Sequence, residues 1–151
     1  MIITTPLFGE IEIPKEKIIE FEAGIPAFHD QTQFIVIHDE DNDNSAFCWL
    51  QSIKDPELVF PIVDILSIMP QYSPAISETD LTSIGEYEKS DFFIYNIATI
   101  PDNVEDITVN LKAPVIINAK TQKGMQCVAQ NEEYLVRHKI FGDIQKRKQV
   151  Q

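Results

Sequence analysis

The sequence predicts an all-β fold, a small antiparallel barrel-like single domain with one or two short helices. Three observations predict it. Short segments rich in β-branched and aromatic residues recur at close spacing, with Gly, Pro, Asn and Asp between them. Helical periodicity is almost absent, so the crossover helices that a parallel α/β sheet needs are missing. The 44% apolar content is enough for a core, and 151 residues match one domain.

Residues 8–13 alternate, with Leu7, Ile11 and Ile13 on one parity and Glu10 and Glu12 on the other, the pattern of a half-buried strand with a charged outer face. Residues 17–21 form a second candidate strand. Residues 34–38 are nearly all apolar and read as a more central one. Residues 46–52, with Phe47, Trp49 and Leu50, are the fourth, and residues 58–63 the fifth, where Pro61 signals an edge or a bulge. Residues 92–100 form a long aromatic and β-branched strand. Residues 115–118 and 125–130 flank residues 120–124, which read as a hairpin loop with Gly124 at a positive-φ position. Residues 134–138 either close the set or begin a short helix. The one clear helix signal is Ser77-Glu78-Thr79-Asp80, which resembles a capping box ahead of Leu81 and Ile84, with Gly85 as a left-handed C-terminal cap. No repeat or linker divides the chain. One domain over residues 1–141 is expected, followed by a basic tail, 142–151, that frays.

Charge is distributed unevenly. Residues 1–136 hold 23 Asp/Glu and 7 Lys/Arg, a net of −16, whereas residues 137–151 hold five Lys/Arg and one acid, Asp143. A body this acidic repels phosphate backbones, so nucleic acid is not expected as a direct ligand. No basic segment precedes an apolar run at the N-terminus. The most apolar stretch, residues 58–69, is too short to span a bilayer and is broken by Pro61 and Asp64. A cytoplasmic protein without membrane contact is expected.

Motifs for catalysis and metal binding are absent: there is no GxSxG, phosphate loop, GxGxxG or HExxH. Cys48 and Cys127 are far apart and read as buried apolar thiols. His29, His38 and His138 lack ligand spacing. Asp39-Glu40-Asp41-Asn42-Asp43 lacks the Gly and terminal Glu of a calcium loop and reads as a solvated connection between strands. No cofactor, metal or catalytic residue is assigned. Gly24-Ile25-Pro26-Ala27-Phe28 reads first as a rigid corner between strands and second as a shaped surface for a partner. Trp49, the only tryptophan, reads first as core and second as an interface anchor.

Taken in order, these segments resemble the flagellar assembly factor FliW family. The resemblance rests on Phe8-Gly9-Glu10-Ile11, on residues 19–28 ending in Gly-Ile-Pro-Ala-Phe, on Trp49-Leu50-Gln51-Ser52, on residues 110–118 (Asn-Leu-Lys-Ala-Pro-Val-Ile-Ile-Asn), and on residues 134–140 with Arg137-His138. It departs from the family pattern at Ala27, where a second Gly is usual, at Ile65, where Pro commonly follows the Asp, and at Leu135 or Val136, where a Pro is frequent. The tail past Phe141 lies outside the pattern.

The resemblance implies a non-enzymatic β-barrel protein that binds the translational regulator CsrA and also flagellin. Flagellin accumulating in the cytosol would occupy it and release CsrA to repress flagellin translation, and export of flagellin would free it to capture CsrA again. Glu10, Glu12, Asp39, Glu40, Asp41 and Asp43 are the acidic candidates for the CsrA contact, and Ile25, Phe28 and Trp49 the candidates for lining an apolar groove for flagellin. The free protein is expected to be monomeric, one copy binding each half of a dimeric regulator. Two other classes remain open: a flagellin-specific secretion chaperone without a CsrA role, and a small enzyme using a carboxylate pair in a deep pocket.

Overall fold

The computed structural model describes residues 1–38 and 45–150, the side chains of 148–150 excepted. In chain order the strands are β1 (Ile2–Thr5), β2 (Gly9–Glu12), β3 (Ile19–Glu20), β4 (Gln33–His38), β5 (Phe47–Ser52), β6 (Val59–Asp64), β7 (Phe92–Thr99), β8 (Thr108–Val109), β9 (Val115–Asn118), β10 (Lys123–Gln126) and β11 (His138–Lys139). Helix α1 (Glu78–Ser83) precedes β7, and α2 (Phe141–Val150) ends the chain. The order β7-β6-β5-β4-β3-β10-β9 runs round a barrel, and β9 pairs back onto β7 with Phe92 opposite Asn118 and Tyr95 opposite Val115. Seven strands therefore close on themselves, which removes most of the exposed edge an open sheet would carry. Pairing is antiparallel throughout except where β10 meets β3, parallel at Lys123 and Glu20. The mostly-β barrel class is the one the strand spacing predicts.

One parity from each barrel strand points inward. Ile19, Phe34, Cys48, Leu50, Ile62, Tyr95, Val115 and Ile117, joined by Phe21 and Ile25, fill the interior. A second core lies outside the wall. There Val63, Ala98 and Val109 meet Ile65, Ile68, Met69, Tyr72 and Ile140, with Ile144 of α2 packed against them. The β1–β2 hairpin lays Ile3 and Ile11 over Ile35 and Ile37 of β4, and Leu81 of α1, with Ile84 just past its end, lies over Ile116 of β9.

Some local expectations hold and others change. At Pro61, β6 pairs with Trp49 of β5, but its register with β7 begins only at Ile62, so the missing N–H falls where the wall is locally an edge. The β9–β10 turn places Gln122, not Gly124, at positive φ (+56°). Gly124 lies within β10, where a Cβ would come within 2.8 Å of the Phe21 ring, so close packing is what requires glycine there. Ser77 Oγ accepts from the Asp80 N–H at 3.1 Å and caps α1, and Gly85 takes φ +98°. Residues 134–138 contribute only the start of β11, which pairs with β8. The basic tail forms α2: Ile144 packs partly buried against the outer core, and Asp143 Oδ2 lies 3.1 Å from His138 Nε2.

Candidate protein-binding surface

The first strand pair carries acids outward as its alternation dictates. Glu10 and Glu12 are exposed opposite Thr4 and Ile2, while Ile3 and Ile11 turn toward β4. The same hairpin covers Trp49, whose indole meets the Phe8 ring edge-on at 6.1 Å between centroids. Trp49 is half-buried on the outer wall beside Ile37 and Pro61. It fastens the hairpin to the barrel, which is a packing role. Asp39, Glu40, Asp41 and Asp43 lie outside the described residues.

The Gly24–Phe28 segment is a tight corner. Gly24 has φ +67°, and a Cβ there would stand 2.6 Å from the His29 Cα. Phe28 N–H donates to the Ile25 carbonyl at 2.6 Å across Pro26 and Ala27. Ala27 takes φ +74°, the third-residue geometry of a type II turn that normally selects glycine. Ile25 is only 2% exposed and belongs to the barrel interior, so it offers a partner no side-chain surface. Phe28 is 37% exposed and stacks edge-on against Phe60 at 5.6 Å. Ile25, Phe28 and Trp49 therefore do not line one groove: one is core, one caps the barrel interior, and one holds the hairpin.

The structure places an apolar groove elsewhere. A depression of about 490 Å³ runs between residues 72–76 and residues 81–89. It is lined by Phe92 and Ile94 of β7 and Ile116 of β9, by Leu81, Tyr87 and the cationic Lys89, and by Tyr72 and Ile76. Leu66, 42% exposed, stands at its margin. Sequence reasoning missed these residues because they come from four separated segments. The one available signal was Tyr87 set between Glu86 and Glu88, an aromatic residue flanked by charge in a stretch without strand alternation.

Two further concavities bear on chemistry. A cleft of about 140 Å³ is bordered by Glu20, Glu22 and Lys123. Its carboxylates are engaged: Gln33 Nε2 donates to Glu20 at 2.8 Å, and Lys123 Nζ stands 2.7 Å from Glu22. A second depression, about 510 Å³, separates α2 from residues 67–71 and is bordered by Lys146 and Arg147. Burial pushes the Cys48 and Cys127 thiols up to about 12, with Asp64 adding to the effect at Cys48 and Asp80 at Cys127. Burial likewise raises the Tyr72 phenol to about 12 and moves Tyr95 upward. Thiols so shifted are poor nucleophiles near neutrality. Among the described residues no three His, Cys, Asp or Glu side chains gather as a metal site, and no helix is long and apolar enough to cross a membrane.

Comparison with known proteins gives a consistent result. The family model described as FliW protein matches residues 2–140. The flagellar assembly factor FliW of Alkaliphilus metalliredigens (strain QYMF) is 40% identical over 146 residues, covering 97% of this chain and 90% of its own. That of Thermoanaerobacter pseudethanolicus (strain ATCC 33223 / 39E) is 40% identical over 144 residues, covering 95% of each. A crystal structure of the flagellar assembly factor FliW superimposes with a TM-score of 0.85 at 32% identity, covering 93% of this chain and 97% of that one.

Proposed function

The chain belongs to the FliW family, and on that premise we propose that it is a flagellar assembly factor acting in the cytosol by binding other proteins. It captures the translational regulator CsrA and is itself occupied by flagellin, so that flagellin synthesis follows flagellin export. It turns over no substrate. The observation that carries the CsrA half is the net charge of −16 over residues 1–136, with Glu10 and Glu12 held outward on a hairpin that Trp49 anchors.

An RNA-binding regulator is basic where it meets phosphate. Complementary fields speed its encounter with an acidic partner. Once the two are joined, carboxylates beside the RNA groove repel incoming phosphates within about 8 Å at physiological salt. Antagonism then needs no filling of the RNA site itself. The free protein is monomeric, and one copy binds each half of a dimeric regulator.

Purified chain on a resin, presented with purified CsrA and flagellin at low and high salt, tests this reading. Retention of CsrA that weakens as salt rises, and its release by flagellin, is the expected result. Retention of flagellin alone would make the protein a secretion chaperone. A measured turnover would overturn the binding-only account.

A further inference from the structure

We propose that the outer edge of β1 accepts an extended segment of a partner protein, one that alternates apolar residues with Lys or Arg and joins the β1–β2 hairpin as a third strand. The inference rests on the reading that this chain works by binding proteins, and adds a contact made through the backbone.

The ladder fixes which backbone groups are open. Ile13 N–H donates to the Met1 carbonyl at 2.7 Å, and the Met1 nitrogen stands 3.5 Å from the Ile13 carbonyl oxygen. Met1 and Ile13 are therefore a hydrogen-bonded pair, and such pairs alternate along an antiparallel ladder. The register then makes Ile3–Ile11 and Thr5–Gly9 the other bonded pairs and turns the N–H and C=O of Ile2 and Thr4 to the far edge. The hairpin is a two-stranded sheet outside the barrel ring, so among the described residues no third strand covers that edge. Ile2 and Thr4 are both exposed.

The two edges of the hairpin differ. On β2 the backbone of Glu10 and Glu12 turns outward, and charged residues on an edge discourage pairing. β1 reads Ile-Ile-Thr-Thr, all β-branched and uncharged, with no proline before Pro6. The edge left open is thus the one suited to a ladder, and main-chain bonds supply the affinity of strand addition. Side chains beside the edge choose the occupant. Ile3 lies on the apolar side that faces β4, so apolar residues of the added strand continue that side. On the solvent side Glu10 and Glu12 are the only charged side chains of residues 1–13. They stand two strand spacings, about 10 Å, from an added strand, a gap that Lys or Arg and Glu span together. The net charge of −12 opposes a second copy of this chain as the occupant.

The test uses the full chain and labelled synthetic peptides of about nine residues that alternate Val and Lys, roughly 30 Å long when extended. Two further versions are N-methylated, one at every Val and one at every Lys. Successive N–H groups of a strand point to opposite edges, so one methylated version loses its pairing edge and the other keeps it. Fluorescence anisotropy should show binding of the plain peptide, weakening as salt is added, with one methylated version bound and the other at least about tenfold weaker. Thr4→Pro removes an outward N–H and no bond to β2, so it should weaken the peptide by a similar factor while the unfolding midpoint stays in place. Glu10→Gln with Glu12→Gln should flatten the salt dependence. Loss of binding with both methylated versions, loss with neither, or no binding of the plain peptide would overturn the assignment, and none of these readings needs a variant to fold. So would unchanged affinity in a folded Thr4→Pro, or a concentration-dependent dimer that Thr4→Pro abolishes, because the occupant would then be a second copy. CsrA and flagellin binding, measured on the same protein, separates the two claims: if those partners bind and the peptide does not, only the edge assignment falls.

Discussion

Replacing Ala27 by glycine should stabilise this protein. Ala27 sits at φ +74° in the turn closed by the 2.6 Å bond from Phe28 N–H to the Ile25 carbonyl. An L-residue with a Cβ held in the left-handed region costs about 1–2 kcal/mol. Glycine removes that strain but adds about 0.4–1 kcal/mol of freedom to the unfolded chain. The balance is a gain of about 0.5–1 kcal/mol, equivalent to a rise of roughly 1–4 °C in Tm for a chain of this size. Urea unfolding followed by Trp49 fluorescence measures it directly, with an unchanged slope and a higher midpoint. Gly24→Ala is the counterpart. Besides φ +67°, its new Cβ would meet the His29 Cα at 2.6 Å and the Phe28 carbonyl oxygen at 2.7 Å. Both obstacles are backbone, so a loss of about 2 kcal/mol or more follows. An Ala27→Gly variant that is neutral or less stable would refute this account of the corner.

Gly124→Ala should cost about 1–3 kcal/mol through overpacking, since its Cβ would stand 2.8 Å from the Phe21 ring and 3.2 Å from Ile19 Cγ2, and equilibrium unfolding would show it. Stability should fall at alkaline pH. Cys48 and Cys127 are raised from the ordinary 9.0 to about 12, so the folded state holds their protons longer than the unfolded state; their contribution is intact below pH 9 and is lost progressively between about 9 and 12. Unfolding midpoints across that window check the sign, and Cys48→Ala with Cys127→Ala should flatten the slope. The same burial predicts that both thiols resist alkylation at pH 8 in the native protein and react in urea.

Strand existence was legible wherever apolar residues alternated or ran together, as in residues 34–38, 46–52 and 92–100, because period two reports the pleat directly. Two short strands escaped notice. β1 and β8 are four and two residues long, too brief to show a period, and form only because β2 and β7 offer them partners. Barrel closure was a tertiary fact: β7 changes neighbour along its length, pairing with β9 at one end and β8 at the other. The outward parity of Glu10 and Glu12 could be read from residues alone. The apolar groove could not, since Leu66, Tyr72, Leu81, Tyr87 and Phe92 meet only after the chain folds back across the barrel wall. The choice of Ile25, Phe28 and Trp49 failed as a single groove because hydrophobicity alone does not say which side of a barrel a residue faces.

The most direct measurement follows labelled RNA on purified CsrA while this chain, and then flagellin, is added. The account predicts that the chain displaces RNA at ordinary ionic strength and less well as salt rises, that Glu10→Gln with Glu12→Gln weakens displacement, and that flagellin returns RNA to CsrA. Displacement untouched by salt and by those substitutions, or RNA held by this chain itself, would contradict it.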